Sequence, residues 1–162
     1  MTPLVSGPIF QICWVVADIT AAEQEFSEKW GVQRWLRMPD LHFGPETTTY
    51  RGRPADYTAH ISLGYAGTQQ IELIQPVSGL SLYSEFLDTH GVGVHHVAFV
   101  PDDYDETLSE VARRGMPVLQ QGRIADAGME FAYVDGGPMG GYVEFMKLSP
   151  EIRLMFDSLI TY

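Results

Sequence analysis

Two similar segments, QICWVVAD at residues 11–18 and HVAFVPDD at residues 96–103, decide the fold that we expect for this chain. An offset of 85 residues (96 − 11) places Gln11 over His96 and aligns the aspartates that end the two segments. Each segment has the pattern of a short strand followed by the acidic N-cap of a helix. The sequence therefore predicts two copies of one structural unit.

Both copies continue with the same order of elements. Helices are predicted at residues 19–30 and 104–114, before Gly31 and Gly115, because glycine commonly ends a helix. Apolar and alternating runs predict strands near residues 9–17, 32–37, 57–65 and 69–75, and near 94–100, 117–123, 129–134 and 141–147. The expected fold class is α+β, with two βαβββ modules.

We expect one domain over residues 1–162, made of module one (about 9–76), a linker with a short helix (77–92), module two (about 93–147) and a C-terminal helix (149–160). That last helix opens at Ser149-Pro150 and carries an apolar stripe of Ile152, Phe156 and Leu159. It is predicted to cover a sheet edge or a partner subunit, and its apolar residues make a homodimer our expectation.

Composition limits the class of protein. Ten basic and 21 acidic residues give a net charge of −11, which repels phosphate backbones and argues against nucleic-acid binding. No apolar run approaches the ~18 residues of a membrane span, and the N-terminus lacks a signal-peptide pattern. A cytoplasmic location is therefore expected. The single cysteine, Cys13, excludes a disulfide within the chain and is interpreted as a small buried apolar residue.

Polar residues inside the predicted strands indicate a site. Glu72 and Glu144 each interrupt apolar neighbours at matching points of the two halves, where an ionised carboxylate needs a cation or strong hydrogen bonds. Strand alternation places Gln11 on the face opposite Trp14, the residue expected to pack against a helix. By the same alternation His96 shares the face of Gln11, and His95 is interpreted as a core histidine.

Three further motifs carry a resemblance to a known family. They are GVGVHHVAF at residues 91–99, IELIQP at residues 71–76, and DGG at residues 135–137 followed by GYVEF at residues 141–145. With these motifs the chain resembles the vicinal oxygen chelate superfamily over about residues 9–147, in particular its methylmalonyl-CoA epimerase-like and glyoxalase I-like branches. The resemblance implies a cup-shaped sheet with metal ligands at Gln11, Glu72, His96 and Glu144.

Two carboxylates, an amide oxygen and an imidazole suit one divalent ion, Zn, Ni, Co, Mn or Mg, and leave two positions of an octahedron open. A substrate with neighbouring oxygens can fill them. Glu144 or Glu72 is the expected catalytic base. Further candidates for the base or for binding the substrate are His60 and Tyr133, together with His42 of a long loop predicted from Pro39 to Pro54.

The expected function is a metal-dependent isomerase, epimerase or glyoxalase-type lyase that acts on a small carbonyl or acyl compound through a metal-stabilised enolate. Gln11 in place of a first histidine argues against an extradiol dioxygenase. Val15 and Val92, where arginines would bind glutathione, argue against a glutathione substrate. Two alternatives stay open: a small-molecule binding or resistance protein that uses the same cup without catalysis, and a structural dimer with a decayed site.

Overall fold

A single curled sheet and four α-helices make up the computed structural model, which describes residues 2–124 and 128–161. The strands are β1 (Gln11–Val15), β2 (Leu36–Phe43), β3 (Thr48–Tyr50), β4 (Arg53–Pro54), β5 (Tyr57–Ala66), β6 (Gln69–Ser78), β7 (Gly93–Phe99), β8 (Gln120–Ile124), β9 (Met129–Asp135) and β10 (Tyr142–Leu148). The helices are α1 (Ile19–Trp30), α2 (Leu82–Thr89), α3 (Tyr104–Arg113) and α4 (Pro150–Asp157), and a 3₁₀ turn covers Gly137–Met139.

The strand order is β2-β5-β6-β1-β7-β10-β9-β8-β3-β4. The sheet is mixed, because β1 pairs with β6 and β7 pairs with β10 in parallel, while the other pairs are antiparallel. The predicted α+β class is confirmed. At the centre of the sheet, β1 and β7 join the two halves of the chain side by side.

The pairing of β1 with β7 reproduces the repeat seen in the sequence. Gln11 lies opposite Ala98, and Cys13 lies opposite His96. The offset of 85 residues makes Gln11 equivalent to His96 and Cys13 equivalent to Ala98. Exchanging the two halves therefore turns the pair Gln11–Ala98 into the pair His96–Cys13, which is also observed. The two halves are thus related by an approximate two-fold axis that passes between β1 and β7.

Capping residues set the helix bounds much as the sequence predicts. Asp18 accepts a hydrogen bond from the Ala21 amide at the start of α1, and Asp103 accepts one from Glu106 at the start of α3. Helix α1 ends at Gly31, whose φ of 77° is the left-handed conformation of a C-cap. None of the four helices described here is long and apolar enough to span a bilayer.

Residues 39–54, predicted to form a long loop, instead lie largely in strands, so this prediction was wrong. Strand β2 starts at Leu36 rather than near residue 32 and extends to Phe43, and β3 and β4 follow. Pro39 and Asp40 interrupt the ladder with β5 as a bulge, where Asp40 has a φ of 50°. The turn-forming residues of this segment are tolerated because pairing with the distant β5 and β8 overrides the local signal.

The same segment shows how strongly the sheet curls. Strand β2 lies at one edge of the sheet and β3 is near the other, yet Phe43 and Thr48 are only five residue steps apart. Five steps of extended chain reach at most about 18 Å. The two edges therefore approach each other, and the concave face becomes a deep cup that is formed within one chain.

Helix α4 lies against the cup. Phe156 is buried in the main apolar cluster, and Ile152 packs against that cluster beside residues of β1, β2, β5 and β9. The Ser149 hydroxyl caps α4, and Pro150 occupies its first turn. Two residues of the apolar stripe predicted on this helix, Ile152 and Phe156, thus face the inside of their own chain, whereas Leu159 lies beyond the end of α4 and Leu154 is 70% exposed.

Two glycines flank β6, one in a crowded position and one in an open turn. Gly79 has a φ of 80°, and a Cβ added there would lie 2.1 Å from the Asp56 carbonyl oxygen. Gly67, in the turn between β5 and β6, has a φ of 60° and open space around the same position. We expect Gly79→Ala to lower the free energy of unfolding by more than about 3 kcal/mol, and Gly67→Ala by only about 1 kcal/mol. Urea denaturation measures both, and equal losses would show that the close approach at Gly79 costs nothing.

Candidate functional site

Four buried polar side chains meet at the centre of the cup. They come from four neighbouring strands: Glu72 from β6, Gln11 from β1, His96 from β7 and Glu144 from β10. Their exposed fractions are 8%, 1%, 1% and 3%, respectively. The structure therefore brings together the four residues for which the sequence suggested a metal-binding role, and all four belong to the same chain.

The imidazole of His96 is central to this group. Its Nε2 lies 3.2 Å from Gln11 Oε1, 3.4 Å from Glu72 Oε1 and 3.8 Å from Glu144 Oε2. Two donors bonded to one ion at about 2.1 Å are about 3.0 to 3.4 Å apart in octahedral or tetrahedral coordination. The observed separations are close to this range, and Glu144 has the longest of the three.

A bulge in β7 determines where His95 lies. Cys13 pairs with His96 while the next residue of β1, Trp14, pairs with Val94, so His95 is the extra residue of β7. Both histidines are buried, and their Nδ1 atoms are 2.8 Å apart. The strict alternation assumed from the sequence fails at this point, although His95 is a core histidine as expected, packed among aromatic rings that include Tyr83 and Phe86.

The hydrogen bonds of His95 determine which ring nitrogen of His96 carries the proton. His95 Nε2 is 3.3 Å from the Leu82 carbonyl oxygen, which only accepts, so this nitrogen carries the proton. Burial lowers the pKa of His95 well below its usual value and also lowers that of His96, so both rings are neutral. The bare Nδ1 of His95 then accepts from Nδ1 of His96. The Nε2 lone pair of His96 is consequently directed at the oxygens of Gln11, Glu72 and Glu144.

A second chain of hydrogen bonds fixes the amide of Gln11. Its Nε2 donates to Gln70 Oε1 at 2.7 Å, and Gln70 Nε2 donates to the Tyr65 hydroxyl at 3.2 Å. The Gln11 nitrogen is therefore turned away from the site, and its Oε1 faces His96. Gln70 is a residue that the sequence reasoning missed. The available signal was that Gln70 precedes Glu72 by two residues and so shares its face of β6.

The carboxylates are buried without adequate partners. Glu72 Oε1 has no hydrogen-bond partner among the residues that the structure describes. Burial raises the pKa of Glu72 to about 7, and burial together with the negative charge of Glu72 raises that of Glu144 to about 7. Acceptors that face one another in this way need protons or a cation between them. The residues present thus fit a divalent metal ion.

Cys13 also belongs to this group, although the sequence suggested only a small buried apolar residue. It is fully buried, and its sulfur lies within 4.8 Å of ligand atoms of Glu72 and His96. In the sheet, Cys13 stands directly between these two residues, whereas Ala98 takes the equivalent place beside Glu144. Burial and the Glu72 carboxylate raise the pKa of its thiol well above the usual value. The sequence signal was its position two residues after Gln11, on the same face of β1.

An apolar cavity of about 110 Å³ opens above the polar group. Gln11, Glu72 and Glu144 line its base with the hydroxyl-bearing Tyr83 and Tyr133. Its walls come from β2, β5, β8, β9 and α4, through residues Leu36, Met38, Leu41, Phe43, Ile61, Leu63, Ile124, Met129, Phe131, Ile152, Met155 and Phe156. Among the described residues that line it, none is a lysine, arginine or histidine.

Of the three residues predicted to bind substrate, one lines the cavity and two lie outside it. Tyr133 lines the cavity, and its hydroxyl lies 2.7 Å from that of Tyr83. His60 and His42 lie outside it: His60 Nδ1 accepts from the Asp40 amide, and His42 bonds to Asp56 at the surface. The physical reason is strand alternation on β5, where Ala59 and Ile61 face the core and His60 faces away.

Tyr133 is placed to donate rather than to accept a proton. Burial and the Glu144 carboxylate raise the pKa of its hydroxyl well above the usual value, so the phenol stays protonated. The same hydroxyl lowers the pKa of Glu144, partly offsetting the effect of burial. This argues against Tyr133 as the base that the sequence allowed.

Comparisons with known proteins agree with this architecture. Residues 10–133 match the sequence model of the glyoxalase/bleomycin resistance protein/dioxygenase superfamily. The fold is similar to methylmalonyl-CoA epimerase from Mycobacterium tuberculosis, with a TM-score of 0.66 at 19% identity over 95% of each chain. It is similar to a hypothetical protein from Bacillus halodurans C-125, with a TM-score of 0.66 at 23% identity over 88% of this chain and 94% of that one.

A third similar structure is Streptomyces coelicolor methylmalonyl-CoA epimerase in complex with 2-nitronate-propionyl-CoA. Its TM-score is 0.61 at 19% identity, over 87% of this chain and 96% of that one. No curated protein matches the chain in sequence. At these identities, the similar structures establish the fold.

The raised pKa values of Glu72 and Glu144 predict a pH dependence of stability. A carboxyl group whose pKa is higher in the folded state stabilises the fold at low pH, and this contribution is lost as the pH rises through the folded value. Relative to the double variant Glu72→Gln/Glu144→Gln, metal-free wild type should therefore lose stability on the order of 1 kcal/mol or more between about pH 5 and about pH 8. Urea denaturation in the presence of a chelator measures this difference. A difference that does not change with pH would contradict the buried, unpaired state of these carboxyls.

Proposed function

Because this chain belongs to the glyoxalase/bleomycin resistance protein/dioxygenase superfamily, we propose that it is a metal-dependent isomerase, epimerase or lyase of a small carbonyl compound. The reaction would begin with removal of a proton from the carbon next to the carbonyl group. The observation that supports this most is the convergence of Gln11, Glu72, His96 and Glu144 beneath an apolar cavity, with one buried carboxylate oxygen lacking a partner.

Gln11, Glu72 and His96 would hold the ion, with Glu144 beside them. A divalent ion supplies stabilisation of negative charge that develops on a substrate oxygen. The protein's own contribution is to keep the donors in place: Gln70 orients the amide of Gln11, and His95 fixes the tautomer of His96. Such supporting residues commonly determine how well a site works.

Glu144 is our choice for the base. Its carboxylate lines the cavity, and it is the farthest of the three oxygen donors from His96 Nε2. Burial raises its pKa to about 7 in the metal-free protein, and a divalent ion beside it would lower this pKa and keep the carboxylate ionised, as a base must be. The protonated Tyr133 hydroxyl is placed to donate a hydrogen bond to it or to the substrate.

The cavity favours a small and uncharged substrate. An apolar cavity of roughly 150 Å³ holds benzene, so a cavity of about 110 Å³ takes a compound of that size or smaller unless α4 moves. None of the described lining residues carries a positive charge that would pair with a carboxylate or phosphate. The similar Streptomyces epimerase holds an acyl-CoA analogue. Here the net charge of −11 gives no attraction for coenzyme A, so a short hydroxyketone or diketone fits better.

A non-catalytic binding protein is the second candidate. Aromatic side chains and two carboxylates together can hold an organic cation, and the aromatic rings that line the cavity include Phe43, Phe131 and Phe156. Binding of a cationic ligand by metal-free protein, with no proton exchange, would favour this function over catalysis.

The catalytic proposal is tested by proton exchange. Purified protein loaded with Zn²⁺, Ni²⁺, Co²⁺ or Mn²⁺ is incubated in D₂O with short hydroxyketones and diketones, and deuterium incorporation is followed by NMR. We expect the wild type to exchange the proton next to the carbonyl. Glu144→Gln should lose at least about 100-fold in rate, since the base is removed without changing the shape of the side chain.

The matched control is Glu25→Gln, which replaces an exposed glutamate on α1. It should exchange at the wild-type rate. Exchange by Glu144→Gln at the rate of this control would exclude Glu144 as the base.

The supporting role of Gln70 gives a separate prediction. Replacing it by methionine keeps the volume but removes the acceptor that orients Gln11, so metal affinity should fall about 10- to 100-fold. Isothermal titration of metal-free protein measures this. Gln121→Met, which alters an exposed glutamine of β8, is the control and should bind as the wild type does. Wild-type affinity in Gln70→Met would mean that Gln11 needs no orientation by Gln70.

A further inference from the structure

Cys13 has a position that the proposed function leaves unused. Its sulfur lies within 4.8 Å of ligand atoms of both Glu72 and His96, and the residue is fully buried. In the register of the sheet, Glu72, Cys13 and His96 form one row across β6, β1 and β7. We propose that the Cys13 thiolate is a ligand of the metal ion, and that Glu144 is thereby left free as the base. This inference rests on the proposed function.

The ligand atoms of Cys13, Glu72 and His96 all lie within 4.8 Å of one another, and this group does not include Glu144. Glu144 Oε2 is 3.8 Å from His96 Nε2, compared with 3.4 Å for Glu72 Oε1. Glu72, whose Oε1 is the buried oxygen without a described partner, belongs to this group, which points to an ion between Glu72, Cys13 and His96. Gln11 Oε1, at 3.2 Å from the same nitrogen, completes four donors.

The balance of charge supports the same division. Glu72 and a Cys13 thiolate carry two negative charges, which neutralise a divalent ion in a site where net charge is costly. A third anion is therefore not needed to neutralise the ion, and Glu144 can stay unbound at the wall of the cavity. As the sulfur binds the ion, the thiol proton passes to solvent, and no other bond changes.

The donor set also determines the kind of metal. Sulfur, imidazole, carboxylate and amide donors favour Zn²⁺ or Co²⁺ over Mg²⁺ or Mn²⁺, which prefer oxygen. The cysteine would therefore select the ion that the site uses. A site without it, built from Gln11, Glu72, His96 and Glu144, would discriminate less between these ions.

Cobalt reports the bond directly, because a thiolate bound to Co²⁺ gives a charge-transfer absorption band in the near ultraviolet. Metal-free protein is titrated with Co²⁺, and spectra are recorded for wild type, Cys13→Ser, Cys13→Ala and Glu144→Gln. We expect the band in wild type and in Glu144→Gln, and its loss in both Cys13 variants. The preference for Co²⁺ over Mn²⁺, measured by competition, should fall in the same two variants.

The outcomes separate the two proposals. Co²⁺ that binds to wild type without the band overturns the role of Cys13 and leaves the metal site of the proposed function intact. No binding of Co²⁺ to wild type overturns both. Loss of the band in Glu144→Gln would show that Glu144 is needed for coordination and would overturn its release as a free base. Since Cys13 is the only cysteine, the wild-type band decides the question even if its variants fail to fold.

Discussion

The antiparallel pairing of β1 with β7 is the constraint on which the rest of the structure depends. It joins the two halves at the middle of the sheet and places Cys13 directly opposite His96. Because β6 and β10 run parallel to β1 and β7 on either side, the four central strands each bring one polar side chain to the same part of the cup. A shift of one residue in this pairing would turn the Gln11 side chain to the helix-covered face of the sheet. The four polar side chains would then no longer meet.

Much of this arrangement was predictable, because a repeat and strand alternation are properties of the sequence itself. The positions of Gln11 and His96 follow from the offset between the halves, and those of the two glutamates follow from their apolar neighbours. Features that depend on distant pairing were not predictable. The bulge at His95 is visible only when β7 is laid against β1, and residues 39–54 become strands only because other strands are present to pair with them. The possible role of Cys13 in the site was overlooked, because a cysteine is found as readily in an apolar core as in a metal site.

The site lowers the stability of the fold that contains it. Glu72 and Glu144 are buried, and burial raises the pKa of each to about 7. A core of apolar residues in the same place would give greater stability. Around this costly centre, polar contacts are well satisfied: Gln70 and Tyr65 support Gln11, and the Leu82 carbonyl supports the two histidines through His95. Rigid surroundings of this kind hold a few unsatisfied atoms in a fixed arrangement.

The approximate two-fold axis between β1 and β7 relates Cys13, which stands beside Glu72, to Ala98, which stands beside Glu144. A planar carbon held between the two glutamates would therefore have two different faces, one toward a carboxylate with a thiol and the other toward a carboxylate with a methyl group. Any preference for one orientation of a bound ligand would depend in part on this difference between the two strands.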